Sequence, residues 1–331
     1  MMRLRSYILP LILSVGITLT SCHSAIMSDL TDCPQYTVFA FHVQTPDEIS
    51  YPDGKIDDIR VFAFDEAGKL IGEWTDGGVA FLPGYELKTD YYRPGTTAFV
   101  AWAGKDLSQY DFSAFTAGAS KEELLVFMAK QEAKIAATAG PLYVGEPDGG
   151  ALTQEERSTL GTFTDSLDFA LTQITNRINL QVQGLEPGHQ YTIRFTAKNS
   201  KYGYDGTMLP DTPFEWTTDT FTQTEKDGNV ILSATYDILR LVANAAYGDY
   251  LIEVLDETGN AVYDFDPLRD YILHPLVEDE FHFSQRLDLN HEYSIVIDLR
   301  KRETPAPDGE TYMAVQAWIQ NWNLVFRDVK L

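Results

Sequence analysis

The sequence predicts an all-β protein in which two domains follow an export signal. From Tyr36 onward, apolar residues recur mostly at every second position rather than at helical spacing, and this period is typical of strands. About 310 residues remain after removal of the signal, which at about 150 residues per domain suggests two domains. Hydrophobic residues make up 44% of the chain and aromatic residues 12%, a composition that excludes a disordered protein.

Residues 1–21 are predicted to be a lipoprotein signal peptide. Arg3 and Arg5 precede an uncharged run, residues 7–20, and the small side chain of Ser21 lies directly before Cys22. The run is shorter than the roughly 20 residues that a membrane-spanning helix needs. The four residues that end at Cys22 resemble a lipobox, which implies cleavage before Cys22 and a lipid on its sulfur. An ordinary signal peptide with an incidental cysteine is the alternative.

Residues 22–34 are predicted to be a lipidated tether. Because Cys22 is consumed by the lipid, Cys33 has no partner for a disulfide within the chain. Cys33 also has no neighbouring histidine that could activate it, so we expect no catalytic role for this thiol.

The chain is strongly acidic, and this excludes some classes of partner. It carries 25 basic and 49 acidic side chains, for a formal net charge of −24. Two of the basic residues lie in the signal, so the mature chain is more acidic still. Such a surface repels nucleic acid and anionic lipid headgroups. We therefore expect no nucleic-acid partner, and membrane contact through the lipid alone.

The first domain is predicted to span residues 35–165. In residues 36–43 and 59–64 the apolar side chains alternate, and Gly68 closes a hairpin turn. Ser120 and Glu123 form a capping box before an apolar stripe at helical spacing, which predicts one short helix whose stripe packs into the core. The strands expected in this domain are 36–43, 59–64, 69–74, 85–92 and 97–102.

The second domain is predicted to span residues 166–331. A stretch rich in glycine, proline and polar residues, 140–165, precedes it and is typical of a domain boundary. Strand patterning then resumes, so this half is also mostly β. The strands expected here lie within 167–182 and at 191–197, 230–235, 250–255, 261–265, 293–299 and 312–319.

Motifs that would identify an enzyme are missing from the sequence. It contains no Gly-x-Ser-x-Gly elbow, no phosphate loop, no His-Glu-x-x-His pair and no Cys-x-x-Cys pair. We therefore expect no enzyme, no cofactor and no metal site. Weaker candidates remain: a metal could be held by Glu280 and His282 with His274 nearby, or by Asp264 and Asp266. Tyr202 and Tyr204 could stack on a sugar, although turn structure is the more ordinary use of such residues.

Several motifs in order resemble the FimB-like fimbrial anchor lipoproteins of Bacteroidales. The motifs are lipidated Cys22, Asp32-Cys33-Pro34, Val61-Phe62-Ala63-Phe64-Asp65-Glu66-Ala67-Gly68, Pro141-Leu142-Tyr143-Val144-Gly145, Thr175-Asn176-Arg177-Ile178-Asn179-Leu180 and Trp322-Asn323-Leu324-Val325-Phe326. The resemblance implies two tandem transthyretin-like β-sandwich domains and a lipid-anchored protein at the surface of the outer membrane. It also implies a minor subunit that holds fimbrial structural subunits to the cell. A surface glycan-binding lipoprotein is the alternative function, and a lipoprotein enzyme the weaker one.

The closing run, residues 312–331, is the longest uninterrupted β-prone stretch. Met313, Val315, Ala317 and Ile319 would share one face of a strand. The resemblance to fimbrial anchors implies subunit contact through β-strand addition at a sheet edge of the second domain. Whether this run is donated to a neighbour or completes its own sandwich stays open at this point.

Overall fold

The computed structural model describes residues 35–45, 48–89, 96–138, 140–147, 163–273, 287, 290–304, 306–307, 309–320 and 322–326. The predicted signal peptide and tether, with Cys22 and Cys33, lie outside the described residues. The same holds for His274, Glu280 and His282, so the metal site considered there is not addressed by the structure.

The described part of the chain contains 23 strands. The first half contains β1 (Gln35–Gln44), β2 (Ile49–Ser50), β3 (Asp58–Asp65), β4 (Leu70–Gly77), β5 (Glu86–Thr89), β6 (Thr96–Gly104), β7 (Tyr110–Asp111), β8 (Leu125–Met128), β9 (Lys134–Ile135), β10 (Leu142–Gly145) and β11 (Phe163–Gln173). The second half contains β12 (Thr175–Leu185), β13 (Thr192–Ala197), β14 (Lys201–Gly203), β15 (Met208–Leu209), β16 (Phe214–Trp216), β17 (Thr222–Lys226), β18 (Asn229–Leu239), β19 (Tyr250–Leu255), β20 (Ala261–Phe265), β21 (Glu292–Lys301), β22 (Tyr312–Ile319) and β23 (Trp322–Val325).

These strands form four sheets, and the all-β fold class is confirmed. The eight-stranded sheet has the order β2-β1-β11-β10-β6-β3-β4, with β5 also paired to β1. The six-stranded sheet has the order β17-β18-β12-β21-β22-β23, and the five-stranded sheet the order β20-β19-β13-β16-β9. A four-stranded sheet, β15-β14-β8-β7, combines strands from both halves of the chain.

Strand β3 shows how the eight-stranded sheet buries both of its faces. Ile59, Val61 and Ala63 point into one core with Phe39 and Phe169 from β1 and β11. The alternate side chains, Phe62 and Phe64, point into a second core that extends into the rest of the molecule. This double burial explains why residues 59–64 read as an almost continuous apolar run. The hairpin that follows β3 is closed as expected, with Gly68 at a φ of 69° and its N–H bonded to the carbonyl of Asp65 at 2.9 Å.

The second half is a sandwich of the six-stranded and five-stranded sheets. Ile178, Leu180 and Val182 alternate along the inner face of β12, as the sequence predicts, and are almost fully buried. They share one core cluster with Phe195 of β13, whose ring meets that of Tyr236 edge-on at 5.2 Å.

The predicted helix after Ser120 is wrong beyond its first turn. The capping box between Ser120 and Glu123 is present, but it begins only a single 3-10 turn, Lys121–Glu123. The next residues form β8, in which Val126 and Met128 are buried and alternate with more exposed neighbours. Pairing of β8 with β14 stabilises the extended conformation over the helix that the local spacing favours.

The halves meet along a shared core rather than at a simple linker. Strand β11 runs parallel to β1 within the eight-stranded sheet, so the expected boundary between residues 165 and 166 falls inside a strand of the first half. Only Ile174 separates β11 from β12. Strands β8 and β9 of the first half pair with β14 and β16 of the second. The indole N–H of Trp102 donates to the carbonyl of Tyr204 at 3.0 Å across the same junction.

Candidate attachment edge

Two strands of the closing run, β22 and β23, form a hairpin at the edge of the six-stranded sheet. Strand β22 pairs with β21, and the chain then turns back so that β23 pairs with β22, from Ile319 opposite Trp322 to Gln316 opposite Val325. Ala317, Ile319 and Leu324 are buried in the core of the second half. Strand β23 therefore completes its own sandwich, which answers the question that the sequence leaves open for residues 322–325.

A bulge in β22 changes which side chains face the core. Asp298 lies opposite Gln316 whereas Leu299 lies opposite Ala314, so Val315 is the extra residue. The expected common face of Met313, Val315, Ala317 and Ile319 is therefore wrong for its first two members, which are half-buried. The sequence gives no signal for this bulge, since apolar side chains lie on both sides of it. The carbonyl of Val315 accepts the N–H of Phe326 at 3.0 Å.

Backbone groups of β23 are directed away from the sheet. In an antiparallel hairpin, pairs that exchange hydrogen bonds alternate with pairs that do not, and the pair that closes a two-residue turn is a bonded one. Ile319 with Trp322 is that closing pair, so Asn323 and Val325 direct their N–H and C=O groups outward. Within the described residues, β22 is the one strand that pairs with β23.

Strand β17 forms the opposite edge of the same sheet. Its side chains are exposed except that of Gln223, and it ends in Glu225 and Lys226. The amide of Gln223 is held by the backbone, accepting the N–H of Tyr191 at 2.9 Å and donating to the carbonyl of His189 at 2.8 Å. Charged residues on an edge strand discourage addition of another strand. The four residues of β23 carry no charge, so the two edges differ in this respect.

Of the two candidate ligand residues that the structure describes, Asp266 has a structural role. Asp266 is fully buried and caps the π-helix Pro267–Ile272, since its carboxylate accepts the backbone N–H groups of Leu268 at 2.9 Å and Arg269 at 3.0 Å. Burial raises the pKa of Asp266. Asp264 lies two residues earlier on the strand. In the part of the chain that the structure describes, no three acidic, histidine or cysteine side chains group as a metal site would require.

The two tyrosines considered for sugar stacking are also used internally. Tyr202 is fully buried, and its hydroxyl donates to the carbonyl of Ile174 and accepts the N–H of Arg240. The Tyr204 ring meets Phe64 edge-on at 5.6 Å and lies 4.9 Å from the ammonium of Lys121. Both rings therefore join the two halves rather than present a platform to solvent.

A polar cleft of about 390 Å³ lies at the junction. Lys55 and Tyr143 line it from the first half, and Arg177 and His291 from the second. Arg177 is held in a bidentate pair with Asp237 at 2.6 and 2.9 Å, and this pair raises the pKa of the guanidinium. The charge of Arg177 in the cleft is thus neutralised by Asp237.

No helix among the described residues is long and apolar enough to cross a membrane. Cys22, the one lipidation site expected from the sequence, lies before the first described residue. The structure begins with β1 at Gln35, so a tether of 13 residues, 22–34, would join the lipid to the sheet.

Comparisons with known proteins match nearly the whole chain. A family model described as fimbrillin-A associated anchor proteins Mfa1 and Mfa2 matches residues 30–328. The minor fimbrium anchoring subunit Mfa2 of Porphyromonas gingivalis is 23% identical over 328 residues, which cover 98% of this chain and 95% of that protein.

Solved structures share the fold. The fimbrial anchor protein Mfa2 from Porphyromonas gingivalis superposes with a TM-score of 0.70 at 20% identity, covering 88% of this chain and 99% of that one. A Bacteroides thetaiotaomicron protein described as a candidate polysaccharide-binding protein gives a TM-score of 0.68 at 17% identity, covering 90% and 99%. A candidate adhesin from Bacteroides ovatus gives 0.65 at 18% identity, covering 90% and 96%.

Proposed function

The chain belongs to the family of fimbrillin-A associated anchor proteins, and from this premise we propose that it fixes a fimbria to the outer membrane. In this proposal a lipid on Cys22 holds one end of the molecule in the membrane. A fimbrial structural subunit binds the other end by adding a strand to the open edge of β23. The contrast between the uncharged edge strand β23 and the charged edge strand β17 is the observation that carries this assignment.

The charge of the chain favours a lipid, rather than a protein surface, as the contact with the membrane. A net charge of −24 repels anionic headgroups. Each methylene buried in the bilayer contributes about 0.8 kcal/mol, so two or more acyl chains make release slow. We therefore assign the hold on the membrane to Cys22. That the folded halves lie at the cell surface is part of the same proposal.

The orientation of β1 supports a molecule with its two attachments far apart. Strand β11 leads directly into the second half, so the junction lies at the carboxyl ends of the parallel strands β1 and β11. The amino end of β1, which follows the tether, lies about 30 Å away at 3.3 Å per residue over nine residues. The lipid and the second half thus attach to opposite ends of the first sheet.

Strand addition at β23 suits a partner that supplies an extended segment. The outward N–H and C=O groups of Asn323 and Val325 offer main-chain hydrogen bonds, which give affinity without requiring a particular sequence. The alternate side chains of the added strand then determine which subunit binds. The proposal includes no catalytic step, and no observation in the described residues favours the glycan alternative.

A proline substitution tests the β23 edge without removing a bond of the sheet. Val325→Pro removes an N–H that is directed outward and blocks strand addition there, whereas the bonds from β23 to β22 stay intact. Glu225→Pro is the matched control, because Glu225 on β17 also directs its N–H outward. It lies next to the pair of Lys226 with Asn229 that closes a two-residue turn, so its own pair with Val230 exchanges no hydrogen bonds. Both variants should fold and remain in the membrane.

The readout is a pull-down from membranes in mild detergent, scored for fimbrial structural subunits. We expect Val325→Pro to lose most of the captured subunit and Glu225→Pro to capture as much as the unmodified protein. Equal capture by both variants, at equal thermal stability, would place the attachment elsewhere than at β23.

A further inference from the structure

The pairing of β1 with β11 is the longest parallel contact in the eight-stranded sheet. Nine residues of each strand are in register, from Gln35 opposite Phe163 to Val43 opposite Leu171. The two strands are far apart in sequence, and β11 continues through Ile174 into β12. The amino end of β1 therefore follows the tether, and the carboxyl end of β11 leads into the second half.

Tension on the molecule crosses this pair along the strand direction. A pull from the tether enters β1 at Gln35, and a pull from the second half leaves β11 at Gln173. Because the strands are parallel, these two points lie at opposite ends of the pair. The strands would have to slide past each other to separate, so all their inter-strand hydrogen bonds resist the force together. This holds whichever edge of the second half bears the load.

Side chains of the two strands also interlock across the pair. The Phe169 ring of β11 meets Phe39 edge-on at 5.6 Å and stacks on Phe41 at 5.2 Å, and all three rings are at most 2% exposed. His42 Nδ1 lies 3.0 Å from a carboxylate oxygen of Asp168 on the neighbouring strand. Sliding of β1 past β11 would therefore have to drag buried rings past one another.

Strand β5 holds the other edge of β1. It pairs antiparallel with β1 from Thr37 opposite Thr89 to Ala40 opposite Glu86. The Thr89 hydroxyl donates to the carbonyl of Thr37 at 3.2 Å in a buried position. Strand β1 is thus bonded on both edges at the end where the pull from the tether arrives.

From this geometry we propose a mechanical function: the β1–β11 pair is a shear-loaded clamp that keeps the first half folded while tension passes from the lipid to the second half. The source of the tension depends on the proposed function, because the pull comes from an attached fimbria. The resistance of the β1–β11 pair is a property of the isolated chain and can be measured without a fimbria. Its signature is that resistance depends on the direction of pulling. The same hydrogen bonds, loaded from one end of the pair, would open one after another at low force.

Single-molecule force spectroscopy on the full mature chain, without lipid, can distinguish loading along the pair from loading at one end of it. Two positions of the handle are compared. In the first, the chain is held at Cys22, with Cys33→Ser, so that β1 is pulled from its amino end. In the second, it is held at Glu48→Cys, with Cys22→Ser and Cys33→Ser, so that β1 is pulled from its carboxyl end. Glu48 is exposed in the connection between β1 and β2. The second handle is Lys226→Cys in both proteins, at an exposed site on the second half.

We expect the first unfolding force to be several-fold higher with the Cys22 handle than with the Glu48→Cys handle. The second half is held at the same residue in both, so a large difference reports on how the first half is loaded. Forced unfolding follows the unfolding rate rather than the equilibrium stability, and both proteins should unfold alike in urea. Equal first unfolding forces in the two geometries would overturn the clamp. Because no fimbrial subunit takes part, that result would leave the pull-down test of the attachment edge unaffected.

Discussion

His291 is a half-buried histidine at the cleft between the halves. Burial, with a smaller contribution from the nearby charge of Arg240, lowers its pKa from 6.5 to about 4. Its Nδ1 has no hydrogen-bond partner among the described residues. The folded protein therefore keeps this side chain neutral at a pH where an unfolded chain would protonate it.

The protonation of His291 should make stability depend on pH. Between pH 6.5 and about 4 the unfolded chain binds a proton that the folded chain does not, so the free energy of unfolding falls as the pH drops through this window. The full loss is about 3 kcal/mol. Urea unfolding at a series of pH values should show that His291→Asn removes this part of the pH dependence. His189→Asn is the control, since the His189 side chain is 47% exposed, and a slope unchanged in His291→Asn would contradict the assignment.

A bulge near the end of β12 depends on one glycine. The register with β18 shifts between Gln183 and Leu185, and Gly184 between them has a φ of 88°. A Cβ at Gly184 would lie 2.1 Å from the carbonyl oxygen of Leu299 on β21. The bulge therefore needs glycine both for its backbone conformation and for the close approach of two strands.

Two alanine substitutions separate these requirements. Gly188 has a similar φ of 80° but open space around its Cβ position, so Gly188→Ala should cost about 1–2 kcal/mol of unfolding free energy. Gly184→Ala adds a clash with the backbone of β21, and overpacking of this kind costs about 1–3 kcal/mol more. Denaturant unfolding of both variants measures the difference. Equal losses of unfolding free energy in the two variants would show that β21 moves away from the added methyl group at no measurable cost.

The bounds of several β-prone runs could be predicted closely from the sequence, whereas elements shaped by distant partners could not. The expected ranges 250–255, 261–265 and 312–319 match β19, β20 and β22. The helix after Ser120 was predicted from local spacing, yet β8 is extended because it pairs with β14, which lies more than 70 residues later. The edge position of β23 is a property of the whole sheet order and has no local signature. The sequence could only identify it as a β-prone run near the end of the chain.

At the scale of the whole molecule, the two halves share one core. A single cluster of buried side chains includes Phe62 and Trp102 from the first half and Ile178 and Phe195 from the second. The sequence predicted two units from length and from the polar stretch 140–165. It could not show that β11, which follows that stretch, returns to pair with β1.

Cleavage between residues 148 and 162 should therefore leave one particle rather than two. The fragments would share the β1–β11 pair and the sheet that joins β8 to β14, so we expect them to elute together on size exclusion under native conditions. Separated in denaturant, the first fragment should not refold alone because it lacks β11. A protease site inserted in this range provides the cut. Two fragments that separate and are each stably folded would support independent domains instead.

The central claim is that Cys22 carries the whole attachment of the fimbria to the cell. The most direct measurement is fractionation of fimbriated cells that produce Cys22→Ala, with Cys33→Ala as the matched control, followed by detection of this protein and of the fimbrial structural subunit in membrane and medium. Because a chain with a net charge of −24 is repelled by anionic headgroups, we expect Cys22→Ala to leave the membrane fraction and the fimbriae to be shed into the medium, while Cys33→Ala retains both. Membrane-bound Cys22→Ala, or fimbriae that stay on the cell after its release, would contradict the account.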